Sequence, residues 1–190
     1  DAQESRGLGD VYKRQAQDVM KNVMKYAKIL KKDPENYEAR AEIMWCGSLS
    51  HNGLTGCGTC GGDWATHLME HELGGMFDVA HGAGLAAVWG SWARYVMDEK
   101  PERFAQFAVD VMGVEESDDV KSTALKGIEA VEEFYRMIEM PTNMKELGIN
   151  PTDEQIKDMA MKATNHDTQQ LGAFKKLSAK DLVEIYKTAK

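Results

Sequence analysis

Three of the five histidines of this chain fall within residues 61–82, and their spacing indicates metal chemistry. His67 and His71 lie four positions apart, which places both on one face of a helix. Neutral imidazole is the commonest protein ligand for divalent transition metals. Glu70 and Glu72 flank His71 and add carboxylates to the same stretch. We therefore predict a metal site here, with core or capping roles as the alternative for any single histidine.

The third histidine of the stretch sets a geometric condition. His81 lies fourteen positions after His67. An unbroken helix would separate the two by about 21 Å, too far for one ion to reach both rings. Gly74 and Gly75 are poor helix formers, so we expect the chain to break there and fold back, which would let the imidazoles converge.

Two other interpretations of the stretch remain open. Residues 67–71 match H-x-x-E-H, the inverted zinc-protease motif in which two histidines bind Zn²⁺ and the glutamate is the general base. That motif needs a third ligand, for which Glu139 or Glu146 are candidates. Asp63 with His67 would form another ligand pair, but Asp63 follows two glycines and precedes the apolar periodic run, which favours a helix N-cap.

The cysteines do not predict a site of their own. Cys57 and Cys60 match C-x-x-C, and Cys46 is the third cysteine. A structural zinc site would need a second such pair, and an odd number does not suggest a disulfide framework. We interpret all three as ordinary thiols.

Composition limits the class of protein. With 190 residues and 43% hydrophobic content, the chain can bury the core of one globular domain. Its formal charge of −8 and the absence of a basic stripe argue against a nucleic-acid partner. The sequence contains neither an apolar run of about eighteen residues nor a secretory signal, so we expect no membrane span and a cytoplasmic protein.

Helical periodicity dominates the elements that must position the histidines. Apolar residues recur at helical spacing from Ala16 to Leu30, and Asp33-Pro34 predicts the start of a second helix that ends near Asn52. The glycine-rich residues 53–62 predict a loop, and residues 83–97 predict a helix buried on most sides. Further helix starts are predicted at four places: Pro101, Ser117 to Asp119, Thr152 and Ser178. The prediction is an all-α fold of about eight helices.

The first fifteen residues do not resemble part of a natural domain. Residues 5–15 read as the translation of a transposon-type sequencing adapter, whose final codons encode residues 10–15. We expect residues 1–15 to be a non-native leader and residues 16–190 to be the helical metal-binding domain, part of a longer protein. The parent DNA tests this, because an unrelated coding sequence there would contradict an adapter.

Several blocks in a fixed order carry a resemblance to a known family. The chain is similar to the C-terminal half of the iron-containing alcohol dehydrogenases, in the branch of the NAD(P)H-dependent butanol dehydrogenases. The similarity extends from about Ala16 to the C-terminus, and its blocks are residues 36–45, 48–53, 63–67, 71–73, 80–82 and 165–167.

The resemblance implies a fold and a set of site residues. The fold would be the helical C-terminal domain of the dehydroquinate synthase-like/iron alcohol dehydrogenase fold. The family binds Fe²⁺ or Zn²⁺ through one Asp and three His, and the third and fourth ligands correspond to His67 and His81. His71 corresponds to a histidine near the nicotinamide and substrate. The first two ligands and the NAD(P)-binding domain have no counterpart in this sequence.

The same resemblance implies the reaction. The whole enzyme would interconvert primary alcohols and aldehydes with NAD(P)(H) as a homo-oligomer, while this fragment alone would be inactive. A His71→Ala substitution in an intact homologue would test the proton-relay or orienting role of that residue. The inverted zinc protease and a non-catalytic helical binding module remain the alternatives, the latter favoured if the three histidines point apart.

Overall fold

The computed structural model describes residues 5–57 and 61–190, and it confirms the all-α class. Its described part contains eight α-helices and no strand beyond a single antiparallel bridge between Leu171 and Leu177. The helices are α1 (Ser5–Lys32), α2 (Tyr37–His51), α3 (Ala65–Phe77), α4 (His81–Val96), α5 (Pro101–Asp110), α6 (Val120–Met137), α7 (Asp153–Ala163) and α8 (Ala179–Thr188). Among these helices, none has the length and apolar character that a bilayer crossing requires.

The described chain divides into two compact units. The first contains the described residues up to Gly62 together with Asp110–Gly113, and the second contains Asp63–Val109 and Val114–Lys190. The candidate histidines therefore all belong to the second unit.

In the first unit, α1 and α2 pack against each other. The prediction that Asp33-Pro34 starts α2 is wrong, because the cap is Asn36, whose side-chain oxygen accepts the backbone N–H of Ala39 at 3.0 Å. Asp33 instead accepts the N–H of Asn36 at 3.2 Å in the turn before the helix. The helix α1 begins upstream of Ala16, but helix formation says nothing about the origin of these residues, so the adapter hypothesis stays a prediction.

The second unit is arranged around α4, which packs against α3, α6 and α8. The predicted central helix is confirmed. Small side chains cover much of its surface and allow neighbouring backbones to approach closely. Its buried residues are Gly84, Ala86, Ala87, Val88, Gly90, Ser91, Trp92, Ala93 and Val96.

Several predicted helix starts are confirmed by their hydrogen bonds. Thr152 and Ser178 each form a capping box, with Gln155 and Asp181 respectively. Asp119 caps α6 by accepting the N–H of Lys121 at 3.0 Å. Each cap satisfies backbone donors that the first helical turn leaves without partners.

Two long-range contacts hold α3 in place. The Asp63 Oδ1 atom accepts the N–H of Ala65 at 2.8 Å, but the cap position of α3 is Trp64, so the prediction of Asp63 as the N-cap is wrong by one residue. Its Oδ2 atom accepts the N–H groups of Ala173 and Phe174, both at 2.8 Å. The buried hydroxyl of Tyr186 donates to the carbonyl of Met69 at 2.7 Å and joins α8 to the same helix.

Candidate metal centre

The turn between α3 and α4 brings the three histidines together. The helix α3 runs through Gly74 and Gly75 and ends at Phe77, so the prediction of a break at the glycine pair is wrong. The chain reverses instead at Asp78, which adopts a left-handed conformation with φ of 52°. Asp tolerates this region better than most residues because its short side chain can hydrogen-bond locally.

The three imidazole rings converge. The ring centroids of His67 and His81 are 4.8 Å apart, and that of His71 lies 5.9 Å from His67 and 5.6 Å from His81. The Nε2 atoms of His67 and His81 face each other at 3.1 Å. The three histidines therefore do not point apart, which is the arrangement that would have favoured a non-catalytic helical binding module.

The spacing of the two Nε2 atoms fits a shared divalent ion. Metal–nitrogen bonds of about 2.0–2.1 Å place two ligands on one ion about 2.9–3.4 Å apart, depending on whether the angle at the ion is octahedral or tetrahedral. The observed 3.1 Å lies within this range. His67 and His81 can thus act as neighbouring ligands without movement of either helix.

Behind His81 lies a buried carboxylate. Glu70 is only 1% exposed, and its Oε2 atom is hydrogen-bonded to Nδ1 of His81. The His81 side chain, in contrast, is 49% exposed to solvent. The cluster therefore has a dry side, formed by Glu70, and a wet side.

This position of Glu70 differs from the one that a protease would need. In the inverted zinc-protease motif the glutamate is a general base, which must reach a metal-bound water. Glu70 instead contacts the ring nitrogen of His81 that is turned away from His67. In the described chain, the group of potential ligand atoms within 4.8 Å of one another contains Glu70, His71 and His81, and neither Glu139 nor Glu146.

The two glutamates nominated as third protease ligands lie in turns. Glu146 accepts the N–H of Thr142 at 2.7 Å and its hydroxyl at 2.9 Å, and the backbone bond is the main reason that the pKa of Glu146 is lowered. Glu139 follows α6 with a positive φ of 61°. These positions favour structural roles.

The other two histidines and the cysteines have the following surroundings. His51 ends α2, where its Nδ1 atom lies 2.9 Å from the Ser50 hydroxyl. His166 is exposed and lies in a run of three positive φ values, from Asn165 to Asp167. Cys46 and Cys57 are free thiols, while Cys60 lies outside the described residues.

Sequence reasoning missed two neighbours of the cluster. Glu70 was predicted as a carboxylate flanking the histidines and as a possible protease base, but not as a partner of His81, although a glutamate beside a histidine pair is also the residue type that orients metal ligands. Trp64 had no predicted role, and its ring packs edge-on against His67 with centroids 4.9 Å apart. Its position three residues before His67 on the same helical turn is the signal that could have identified it.

Burial and nearby charges raise the pKa of two further groups beside the cluster. Burial, followed by the carboxylates of Glu72 and Glu70, holds the pKa of Tyr186 well above its ordinary value. Burial also raises the pKa of Glu72. The hydroxyl of Tyr186 therefore keeps its proton and its bond to Met69.

The converging histidines and the buried carboxylate behind them place this protein in a class, the helical domains that can hold a divalent metal. Residues 9–190 match the family model described as Fe-containing alcohol dehydrogenase family, C-terminal. The chain belongs to this family, which confirms the resemblance inferred from its motifs and replaces the protease alternative.

Named relatives agree with this membership. The chain is 35% identical over 177 residues to probable NADH-dependent butanol dehydrogenase 1 of Bacillus subtilis, covering 93% of this chain and 44% of that protein. It is 31% identical over 173 residues to NADH-dependent butanol dehydrogenase A of Clostridium acetobutylicum, covering 90% and 44%. The crystal structure of NADH-dependent butanol dehydrogenase A from Thermotoga maritima matches with a TM-score of 0.86 and 32% identity, covering 94% and 46%. The chain thus spans less than half the length of these relatives.

Proposed function

We propose that this chain is the metal-binding part of an NAD(P)-dependent alcohol dehydrogenase that interconverts primary alcohols and aldehydes. Family membership supports the reaction class. The observation that carries the site assignment is the 3.1 Å separation between the facing Nε2 atoms of His67 and His81.

In this proposal His67 and His81 hold a divalent ion, Fe²⁺ or Zn²⁺, through their Nε2 atoms. Such an ion, when bound with an open coordination position, supplies the Lewis acid that lowers the pKa of an alcohol hydroxyl. Asp63 is not a substitute for the family's Asp ligand, because both of its oxygens already accept backbone N–H groups. The remaining ligands would come from outside this chain.

His71 would face the cofactor and substrate rather than the ion. Its ring lies beside those of both ligands, and the residue is exposed on the wet side of the cluster. An imidazole there can accept a proton from the alcohol or orient it, while NAD(P) carries the hydride. Loss of turnover in a His71→Ala variant of an intact homologue is the expected result, and unchanged turnover would remove this residue from the mechanism.

The proposal extends to the whole enzyme. Relatives named as NADH-dependent butanol dehydrogenases support a small alcohol or aldehyde as substrate and a nicotinamide cofactor. We expect the full-length protein to be a cytoplasmic homo-oligomer. We expect this chain alone to be inactive, since the 190 residues offer only two of the family's four ligands and no nucleotide-binding domain. Cofactor-dependent alcohol oxidation by the purified chain would contradict the predicted inactivity.

Metal titration tests the site assignment. The wild-type chain is titrated with Zn²⁺ or Co²⁺ against a competing chelator, alongside His67→Ala and His81→Ala. Each variant should bind at least about 10-fold more weakly, because each removes one ligand. His51→Ala is the matched control, since that exposed histidine bonds within the end of its own helix. Equal affinities in all four proteins would overturn the assignment.

A further inference from the structure

The Glu70 side chain has a contact that the proposed reaction does not use. It is buried in α3, and its Oε2 atom is hydrogen-bonded to Nδ1 of His81, the first residue of α4. A carboxylate excluded from water is costly unless it is paired and hydrogen-bonded. Its burial therefore indicates a specific role for the bond to His81.

The two nitrogens of His81 face different partners. A neutral imidazole carries its proton on one nitrogen and a lone pair on the other. Because the Glu70 carboxylate can only accept, the proton of a neutral His81 must lie on Nδ1. The lone pair then lies on Nε2, which faces Nε2 of His67.

We propose that Glu70 is a positioning residue that fixes the orientation of the His81 ring and keeps its proton on Nδ1, so that Nε2 is always available as a metal ligand. This inference rests on the proposed assignment of His81 to the metal. A carboxylate behind a metal-bound histidine is a known way of fixing ring orientation and increasing ligand basicity.

Gly84 completes this arrangement. It lies one helical turn after His81 and its Cα faces the Glu70 side chain. A Cβ atom there would lie 2.7 Å from Oε1 and 2.8 Å from Cγ of Glu70, closer than carbon atoms tolerate. Cγ is near the root of the side chain and cannot swing away independently. Only glycine therefore leaves room for the carboxylate in its observed position.

The position of the carboxylate at the start of α4 is also electrostatically favourable. The first turn of a helix presents unpaired N–H groups and the positive end of the helix dipole, which attract an anion.

The first test uses the metal-free chain. Nitrogen-15 NMR of the histidine side chains, at a pH where the ring is neutral, reports which nitrogen carries the proton. The expected result is protonation at Nδ1 of His81 in the wild type and a shift towards Nε2 in Glu70→Leu. Glu70→Gln should keep the wild-type tautomer, because its amide oxygen can still accept. Protonation at Nε2 in the wild type, or no change in Glu70→Leu, would overturn the proposal.

The second test measures metal affinity. Glu70→Leu should weaken Zn²⁺ or Co²⁺ binding by about 10–100-fold. Gly84→Ala should weaken it similarly, and the double variant should show little further loss, because both changes disturb one contact. Glu72→Leu is the matched control, being on the same helix and only half-buried. Additive losses, or an equal loss in the control, would contradict a specific role for Glu70.

The outcomes separate this proposal from the function on which it rests. If the wild-type chain binds no metal, the assignment of His67 and His81 fails, yet the tautomer of His81 still decides the role of Glu70. If Glu70→Leu does not fold, the isosteric Glu70→Gln keeps the test open, since removal of the charge alone should lower metal affinity. A metal-bound wild type in which Nδ1 of His81 carries no proton would overturn the proposal, because His81 would then not donate Nδ1–H to Glu70 while binding the ion through Nε2.

Discussion

The Asp63 carboxylate provides a sharp test of how α3 is held in place. It accepts three backbone N–H groups, one from Ala65 at the start of α3 and two from Ala173 and Phe174, which lie more than a hundred residues away. Asp63→Asn keeps the size of the side chain but replaces one acceptor oxygen by an NH₂ donor. Whichever way the amide turns, at least one backbone N–H then faces a donor.

The expected cost follows from these three bonds. Hydrogen bonds to charged groups contribute about 1.5–3 kcal/mol each, against about 0.5–1.5 kcal/mol for neutral ones. The Asn variant loses at least one bond and weakens the others, but Asp63 is only half-buried, so water recovers part of the loss. We expect the second unit to lose about 2 kcal/mol of unfolding free energy.

Urea unfolding and amide hydrogen exchange check this expectation. The amides of Ala173 and Phe174 should lose protection first in Asp63→Asn, because they lose their acceptor. Asp118→Asn is the control, since Asp118 is exposed and its substitution should change stability by no more than about 0.5 kcal/mol. Equal stability of the two variants, with unchanged exchange at Ala173 and Phe174, would refute this account of the contact.

Two further predictions concern packing and pH. Gly127→Ala places a Cβ 2.4 Å from Cβ and 2.9 Å from Cα of Ala108, so it should lower stability by about 1–3 kcal/mol, whereas Gly47→Ala meets open space and should raise it by up to about 1 kcal/mol. Thermal unfolding of both variants measures this, and a stable Gly127→Ala would contradict it. The hydrogen bond to Asp181, aided by burial, raises the pKa of Tyr95 to about 12 from 10.0. The hydrogen bond contributes its full stabilisation below pH 10 and loses it as pH rises towards 12. Tyr95→Phe should abolish this pH dependence of the unfolding free energy. The same pH dependence in the variant and the wild type would contradict the account.

The parts of the fold that could be predicted from sequence have their partners close by in the chain. Thr152 and Ser178 bond three residues ahead, so their side chains and spacing alone predict a helix start. The apolar period of α4 likewise depends on its own residues. The bond from Asp63 to Ala65 is equally local, although the cap position itself is Trp64, while the bonds of Asp63 to Ala173 and Phe174 had no local signal.

The turn before α4 shows where local propensity gives the wrong answer. A glycine in a helix costs about 1 kcal/mol relative to alanine, which tertiary packing can outweigh. Here Met76 and Phe77 pack against the core and extend α3 beyond Gly75. The reversal therefore moves to Asp78, whose left-handed conformation no sequence period predicts.

For the candidate site, the convergence of His67 and His81 was predicted and is confirmed by the geometry. The choice of nitrogen atoms was not predictable, because it depends on Glu70 approaching from a different helix. The metal, the roles of the histidines and the catalytic role of His71 stay predictions.

The contact between Glu70 and Gly84 also has a consequence for inheritance. Since a side chain at position 84 and a glutamate at position 70 compete for the same space, the two positions are not free to vary independently. A lineage can replace Gly84 only after, or together with, a smaller residue at position 70. Among related sequences we therefore expect glutamate and glycine to occur as a pair, so that the two positions together would mark the proteins that orient this histidine with a carboxylate.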